Sequence, residues 1–262
     1  MTWRNNVQIL PAELCYHFYN AKIMKICVAQ AKPEAGDIAK NIAKHLQLID
    51  LAKGARLIVF SELSLTGYEP SIARDLATDI DDKRLDVFQA MSNERKITIC
   101  VGLPIKHEGG VNISMVIIQP EEPRQLYSKT YLHSDEEPFF VSHQNDINLT
   151  LSSRITFAIC YELSVPEHTL NAFRNGENIY IASVSKTKRG IDKALPTLAG
   201  IASTHKATVL LSNAIGMEDG SQSAGHSSVW DNKGVLLDQL NGEDEGVILL
   251  DIEKHETEVR KL

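Results

Sequence analysis

The stretch SSVWDNKGVLLDQLNGEDEGVILLDI, residues 227–252, decides how the chain folds. SSVWD and VLLDQL are short apolar runs separated by Asn232-Lys233-Gly234, a turn tripeptide ending in glycine, so they read as a hairpin. VILLDI follows the polar loop NGEDEG as a further strand. Toward the N-terminus the pattern changes to apolar strands alternating with amphipathic helices. KIMKICVAQ, residues 22–30, is the first convincing strand, and Asp37 can cap a helix carrying Ile38, Ile42, Leu46 and Ile49 on one face, with Gly54 at its end. RLIVF (56–60), a helical stretch at 82–96, ITICVGLPI from Ile97, VNISMVIIQ from Val111 and QLYSK from Gln125 follow. ITFAIC (155–160) leads to a helix opening at Pro166 and closing at Gly176, then NIYIASV, a helix around 194–206, TVLLSN and a Gly/Ser-rich loop at 216–226. Hairpins mixed with strand–helix alternation favour packed sheets covered by helices over one purely parallel sheet. No repeat, low-complexity tract or Pro-rich linker divides residues 22–262, which read as a single domain behind an extension, residues 1–21, of unassigned role.

Composition narrows the function classes. The 262 residues are 43% hydrophobic and 23% charged, the make-up of a globular chain and not of a disordered or collagen-like one. Twenty-seven basic against 34 acidic residues give a net charge of -7, which repels phosphate backbones and anionic lipid, so no nucleic acid and no membrane partner is expected. No apolar run approaches the ~18 residues of a membrane span and the N-terminus lacks a secretory leader's pattern, so the expected location is cytoplasmic. Cys15, Cys27, Cys100 and Cys160 show no Cys-x-x-Cys spacing, which points away from a disulfide framework or zinc ribbon.

The familiar nucleotide-binding, zinc-protease and serine-hydrolase motifs are missing, and the nine histidines show no metal-ligand spacing. Three reactive side chains stand instead just beyond apolar strands: Glu62 after RLIVF, Lys129 after QLYS and Cys160 after ITFAI. Strand ends are where side chains converge on a ligand in sheets covered by helices. Singly, each has a plain explanation as a loop carboxylate, a surface ammonium and a small buried hydrophobe. Together they supply acyl transfer. A thiol with a free pKa near ~8.5 needs help to become a nucleophile. Lys129 can steady the thiolate and the developing oxyanion, Glu62 can take the thiol proton and return it to a leaving amine, and Tyr161 can add its backbone N–H if Cys160 sits on a sharp turn.

VFSELSLTGYEP around Glu62, YSKTYLHSDEEPFF around Lys129 and ICYELSVPEH around Cys160 closely resemble, in that order, the three signature regions of the nitrilase superfamily of carbon-nitrogen hydrolases. KIMKICVAQAKPEAGDIAKNI, VGLPI, SNAIG and GHSSVWDNKGVLL resemble further segments of that family, so the likeness spans roughly residues 22–252. It implies a four-layer α-β-β-α sandwich, pairing of subunits into a homodimer or higher homo-oligomer, a Glu62-Lys129-Cys160 triad, and no cofactor, while the histidine spacing leads us to expect no metal. It also implies a second glutamate shortly after the lysine, which we place at Glu137, with Glu136 the rival in the same DEEPFF run. Tyr68, Tyr161 and Ser185 are the candidate substrate contacts. Two departures bear on the substrate: Ile201-Ala202-Ser203-Thr204-His205 stands where many relatives have Arg-Ala-x-Glu-Asn, and Ser183-Val184-Ser185-Lys186 lacks the Trp or other large side chain common there.

The expected activity is hydrolysis of a small linear amide or N-carbamoyl compound through a cysteine thioester. Nitrile hydrolysis, acyl transfer to an amine by the same triad, and a catalytically silent ligand-binding member of the fold are the alternatives. A Cys-His dyad using His168 or His226 is a further reading, against packing or polar roles for both, and Ser223, Ser227 and Ser228 read as ordinary loop and strand-edge hydroxyls, in a segment that could cover the pocket.

Overall fold

The computed structural model describes residues 24–144, 147 and 149–262. The extension expected at residues 1–21, Cys15 within it and the first residues of the first expected strand lie outside the described residues. In chain order the strands of the first half are β1 (Lys25–Gln30), β2 (Leu57–Val59), β3 (Thr98–His107), β4 (Gly110–Ile118) and β5 (Gln125–Ser128). The second half contributes β6 (Leu149–Thr150), β7 (Arg154–Ile159), β8 (Ile179–Val184), β9 (Thr208–Asn213), β10 (Ile215–Glu218), β11 (Ser221–Ala224), β12 (Ser228–Trp230), β13 (Leu236–Gln239), β14 (Gly246–Asp251) and β15 (Glu256–Lys261). The helices are α1 (Ile38–Leu51), α2 (Ala73–Leu76), α3 (Asp86–Arg95), α4 (Pro166–Ala172) and α5 (Lys188–His205).

Two large sheets result, one ordered β15-β14-β1-β2-β3-β4-β5 and the other β13-β12-β9-β8-β7-β6. At the heart of each, three strands run parallel, β1-β2-β3 and β7-β8-β9. Parallel neighbours need a crossover, and α1, α3, α4 and α5 provide the four that these strands require. The alternation along β1 shows why layers form: Ile26 and Val28 point one way, Cys27 and Ala29 the other, and both sets are buried. Ile26, Val28, Leu57 and Val59 meet Phe157, Ile159, Ile181 and Leu210 between the sheets. Cys27, Ile58 and Phe60 pack outward on Leu48 and Ile49 of α1 and Phe88 of α3. On the far side Ala158, Tyr180 and Ala182 pack on Ile191, Ala194 and Leu198 of α5. Three cores between four layers make the α-β-β-α sandwich in one domain.

Local expectations meet mixed outcomes. Asp37 caps α1 by accepting from the Lys40 N–H at 3.1 Å. The helix expected at 82–96 is a 3-10 turn, Lys83–Leu85, followed by α3, and α4 ends at Ala172, before Gly176. Residues 216–226 are not an open loop: β10 and β11 pair there through Asp219 and Gly220, both left-handed at φ +45° and +68°. That two-residue turn is the Asp-Gly hairpin signal, read here as mere loop composition. Near the future site the sheets are bolted together, since the Ser183 hydroxyl donates to the Phe60 carbonyl at 2.8 Å and the Ser212 hydroxyl to that of Ala29 at 2.6 Å.

Candidate active site

β2, β5 and β7 end on one side of the sandwich, and each end delivers one reactive group. The segment after β2 carries Glu62, β5 runs into Lys129, and β7 runs into Cys160. The Lys129 ammonium is fully buried and donates to Glu62 Oε1 at 2.8 Å and to Glu136 Oε1 at 2.6 Å, both carboxylates being buried too. Cys160 takes φ +45° at the turn from β7 into a 3-10 helix, Cys160–Ser164. A left-handed non-glycine residue costs about 1–2 kcal/mol, a strain that presents the side chain at the tip of the turn. The thiol faces the Ser185 carbonyl at 3.9 Å, and the Ser185 N–H donates to Glu62 Oε2 at 3.3 Å. Carboxylate, ammonium and thiol are thus gathered around the Ser185 backbone after β8.

The second carboxylate is a correction. Glu136, not Glu137, touches Lys129; its other oxygen accepts the His133 N–H at 2.7 Å and its Oε1 also accepts the Tyr68 hydroxyl at 3.0 Å. A turn brings this about, with the N–H groups of Phe139 and Phe140 donating to the Glu136 carbonyl. Phe140 is buried one turn beyond Glu136, while Glu137 is exposed.

A cavity of about 320 Å³ opens above the cluster, at the small end of the roughly 300–1,000 Å³ of ligand sites. Tyr68, Glu136, Cys160, Tyr161, Ser185 and Lys186 line it, with Glu218 and Ser223 from the β10–β11 hairpin. Ser223 thus belongs to the wall, whereas Ser227 serves the backbone of Asn213 and Ser228 bonds to Gln239. Glu218 is buried and accepts from the Tyr68 N–H and from the hydroxyls of Ser185 and Ser223 at 3.0, 2.6 and 2.7 Å. Neither His168 nor His226 lines the cavity; His168 Nε2 is bonded to the Tyr127 hydroxyl at 2.9 Å, which leaves the dyad reading without a placed base.

Sequence reasoning missed Glu162. It is fully buried two residues after Cys160 and accepts from the N–H of Ile159 and the Tyr127 hydroxyl on one oxygen, each at 2.8 Å. The other oxygen accepts the N–H of Thr130 at 2.6 Å. One carboxylate therefore grips the residue before the thiol and the residue after the ammonium. A glutamate inside an otherwise apolar turn was the signal.

Burial and charge set the protonation states. Burial pushes the Glu62 carboxyl above the usual carboxylate range, against the pull of Lys129 and with the push of Glu136. Burial opposes the Lys129 ammonium, yet the charges of Glu62 and Glu136 raise it overall, so it stays protonated. Burial and Glu62 push the Cys160 thiol up to about 11, with Lys186 and Lys129 pulling it down. The resting sulfur is thus a neutral thiol.

A family model described as carbon-nitrogen hydrolase matches residues 25–261. The chain belongs to the carbon-nitrogen hydrolase family. An (R)-stereoselective amidase of Pseudomonas sp. is 25% identical over 240 residues, 88% of this hydrolase and 86% of that protein. A 2-oxoglutaramate amidase of Bacillus subtilis is 24% identical, covering 86% and 90%. Among solved structures, an amidase variant from Nesterenkonia sp. AN1 with the acetamide moiety of fluoroacetamide added at its active-site cysteine superposes with a TM-score of 0.79 at 20% identity, over 89% and 92% of the two chains. This carbon-nitrogen hydrolase therefore shares the sandwich of the nitrilase-superfamily amidases. No helix among the described residues is long and apolar enough to cross a membrane.

Proposed function

We propose that this hydrolase cleaves small linear amides or N-carbamoyl compounds through a thioester on Cys160. The observation that carries the reading is the buried Lys129 ammonium held between Glu62 and Glu136 beside the strained turn of Cys160. The thiol sulfur adds to the carbonyl carbon as its proton passes to Glu62. The oxyanion draws on the charge of Lys129 and on the Tyr161 N–H. The C–N bond then breaks, Glu62 returns the proton to nitrogen, and ammonia or an amine leaves. Water adds to the thioester, giving a proton to Glu62, and collapse of that intermediate releases the acid and restores the thiol. Glu136 holds Lys129 as a second acceptor, and every step uses side chains and water. The relatives' amidase names and the adduct on the Nesterenkonia cysteine favour the same chemistry.

The test is an ammonia-release screen over amides, N-carbamoyl compounds and nitriles, with intact-protein mass spectrometry. The expected result is turnover of an amide or carbamoyl compound together with an acyl mass that maps to Cys160. Full activity in a folded Cys160→Ala protein overturns the reading.

A further inference from the structure

Charged groups line the cavity beyond the Lys129 cluster, and they differ in how they are matched. His133 Nδ1 faces Asp135 at 2.6 Å at the rim. Glu218 on the hairpin wall has both oxygens occupied by the hydroxyls and N–H already described. Lys186 is different. Among the described residues its ammonium has no carboxylate within ion-pair distance, although Lys129 has two.

The fold holds Lys186 in place at its backbone, and no carboxylate among the described residues pairs with its head. Its N–H donates to Asn213 Oδ1 at 2.8 Å, and its carbonyl accepts from Asn213 Nδ2 at 3.2 Å and from the Ala224 N–H at 2.9 Å. The stem lies along Gly190 in the first turn of α5, where an added Cβ would stand 3.2 Å from Lys186 Cβ and 3.4 Å from its Cγ. Ser185, the preceding residue, presents its N–H to Glu62 and its carbonyl to the thiol, so the stem of Lys186 begins one residue from the reacting atoms. The N-terminal end of α5 lines the same cavity through Thr187 and Gly190 and adds its partial positive charge there.

We propose that Lys186 receives a negatively charged group of the substrate, so that the amides taken best carry a carboxylate a few carbons from the reacting carbonyl. This rests on the amidase reading above and names its substrate class. The hairpin wall is compatible with it: both oxygens of Glu218 are already taken by the Tyr68 N–H and by the Ser185 and Ser223 hydroxyls, so its charge is matched within the wall. Lys186 also bears on the thiol itself, so the test has to separate recognition of charge from activation of sulfur.

Iodoacetate and iodoacetamide make that separation, since both alkylate a thiol with loss of iodide and differ in charge. Each reagent is applied to the wild-type chain and to Lys186→Met, Lys186→Arg and Lys186→Glu, with intact mass and peptide mapping to follow Cys160. The ratio of the iodoacetate rate to the iodoacetamide rate is expected to fall on the order of tenfold in Lys186→Met, as for loss of a charge-assisted hydrogen bond, and further in Lys186→Glu, while Lys186→Arg keeps most of it. In turnover, glutaramate is expected to be preferred over pentanamide and 5-aminopentanamide through a lower KM, and Lys186→Met is expected to erase that preference. A ratio unchanged in Lys186→Met overturns the proposal, because Lys186 then acts on the sulfur alone. Failure of both reagents to label Cys160 in the wild-type chain overturns the amidase reading, and this one with it.

Discussion

In the proposed reaction Glu62 is the base, and it lies buried beside a second carboxylate and one ammonium, an environment that dictates its pH behaviour. Its folded pKa lies above 4.5, so the base is lost to protonation at a higher pH than an exposed glutamate would be. The acid limb of kcat/KM is therefore expected above pH 4.5, with the alkaline limb near the thiol's value of about 11. Glu62→Gln is expected to lower kcat by roughly 10²–10⁴ and to remove the acid limb. A pH–rate profile unchanged in shape in that variant would mean that another group is the base. Glu162 sets geometry without touching the reacting atoms. Glutamine there turns one acceptor into a donor facing backbone N–H groups, at about 1–3 kcal/mol for each group left unmatched. Glu162→Gln is expected to lower kcat at least tenfold with little change in KM and to lower Tm by several degrees. A KM rise at constant kcat, in steady-state kinetics, would count against it.

The elements explain why Glu62, Lys129 and Cys160 are legible in the sequence and the residues that support them are not. Glu62, Lys129 and Cys160 each follow an apolar strand, and period-two burial makes strands readable from sequence. The choice between Glu136 and Glu137 depends on which of Phe139 and Phe140 turns inward, and two adjacent phenylalanines in a loop do not say. Phe140 is buried and Phe139 is 42% exposed, and that difference sends Glu136 to Lys129. The hairpin wall was missed because Asp219-Gly220 was read by composition and not by turn type. Close approach of backbones was equally invisible: a Cβ on Gly102 of β3 would lie 2.5 Å from the Leu63 N and 2.7 Å from the Ser61 carbonyl oxygen. Both contacts are backbone atoms of the segment that carries Glu62, so the segment has to move if Gly102 gains a methyl. Gly102→Ala is expected to cost about 1–3 kcal/mol and to lower kcat more than it changes KM. Chemical denaturation and kinetics on one preparation check both, and a destabilised variant with wild-type kcat would refute the coupling.

For the whole molecule, the test of this layered packing is its response to acid. His45 of α1 is buried against Phe60, ring centroids 4.0 Å apart, with Nδ1 facing the Asn41 carbonyl at 2.7 Å and Nε2 the Ser64 hydroxyl at 2.9 Å. Burial brings its pKa down to about 3 from the ordinary 6.5, so the folded state holds it neutral. The stability this contributes is complete above pH 6.5 and is lost as pH falls toward 3, at about 1.4 kcal/mol per pH unit once the unfolded chain is protonated. Glu62 and Glu218 carry the opposite sign: with folded pKa values raised, they favour the folded state most below about 4.5 and lose that contribution as pH rises through those values. Acidification from pH 7 to 5 thus sets one buried imidazole against two buried carboxyls, and the wild-type curve alone does not divide them. His45→Gln does, because glutamine offers a donor and an acceptor and does not titrate in this range. The stability difference between the two proteins, from urea denaturation at each pH, is expected to be constant above pH 7. It is expected to shrink steadily below 6.5, and a difference that stays flat from pH 7 to 5 would show that His45 takes up its proton in the folded sandwich over the same pH range as in the unfolded chain.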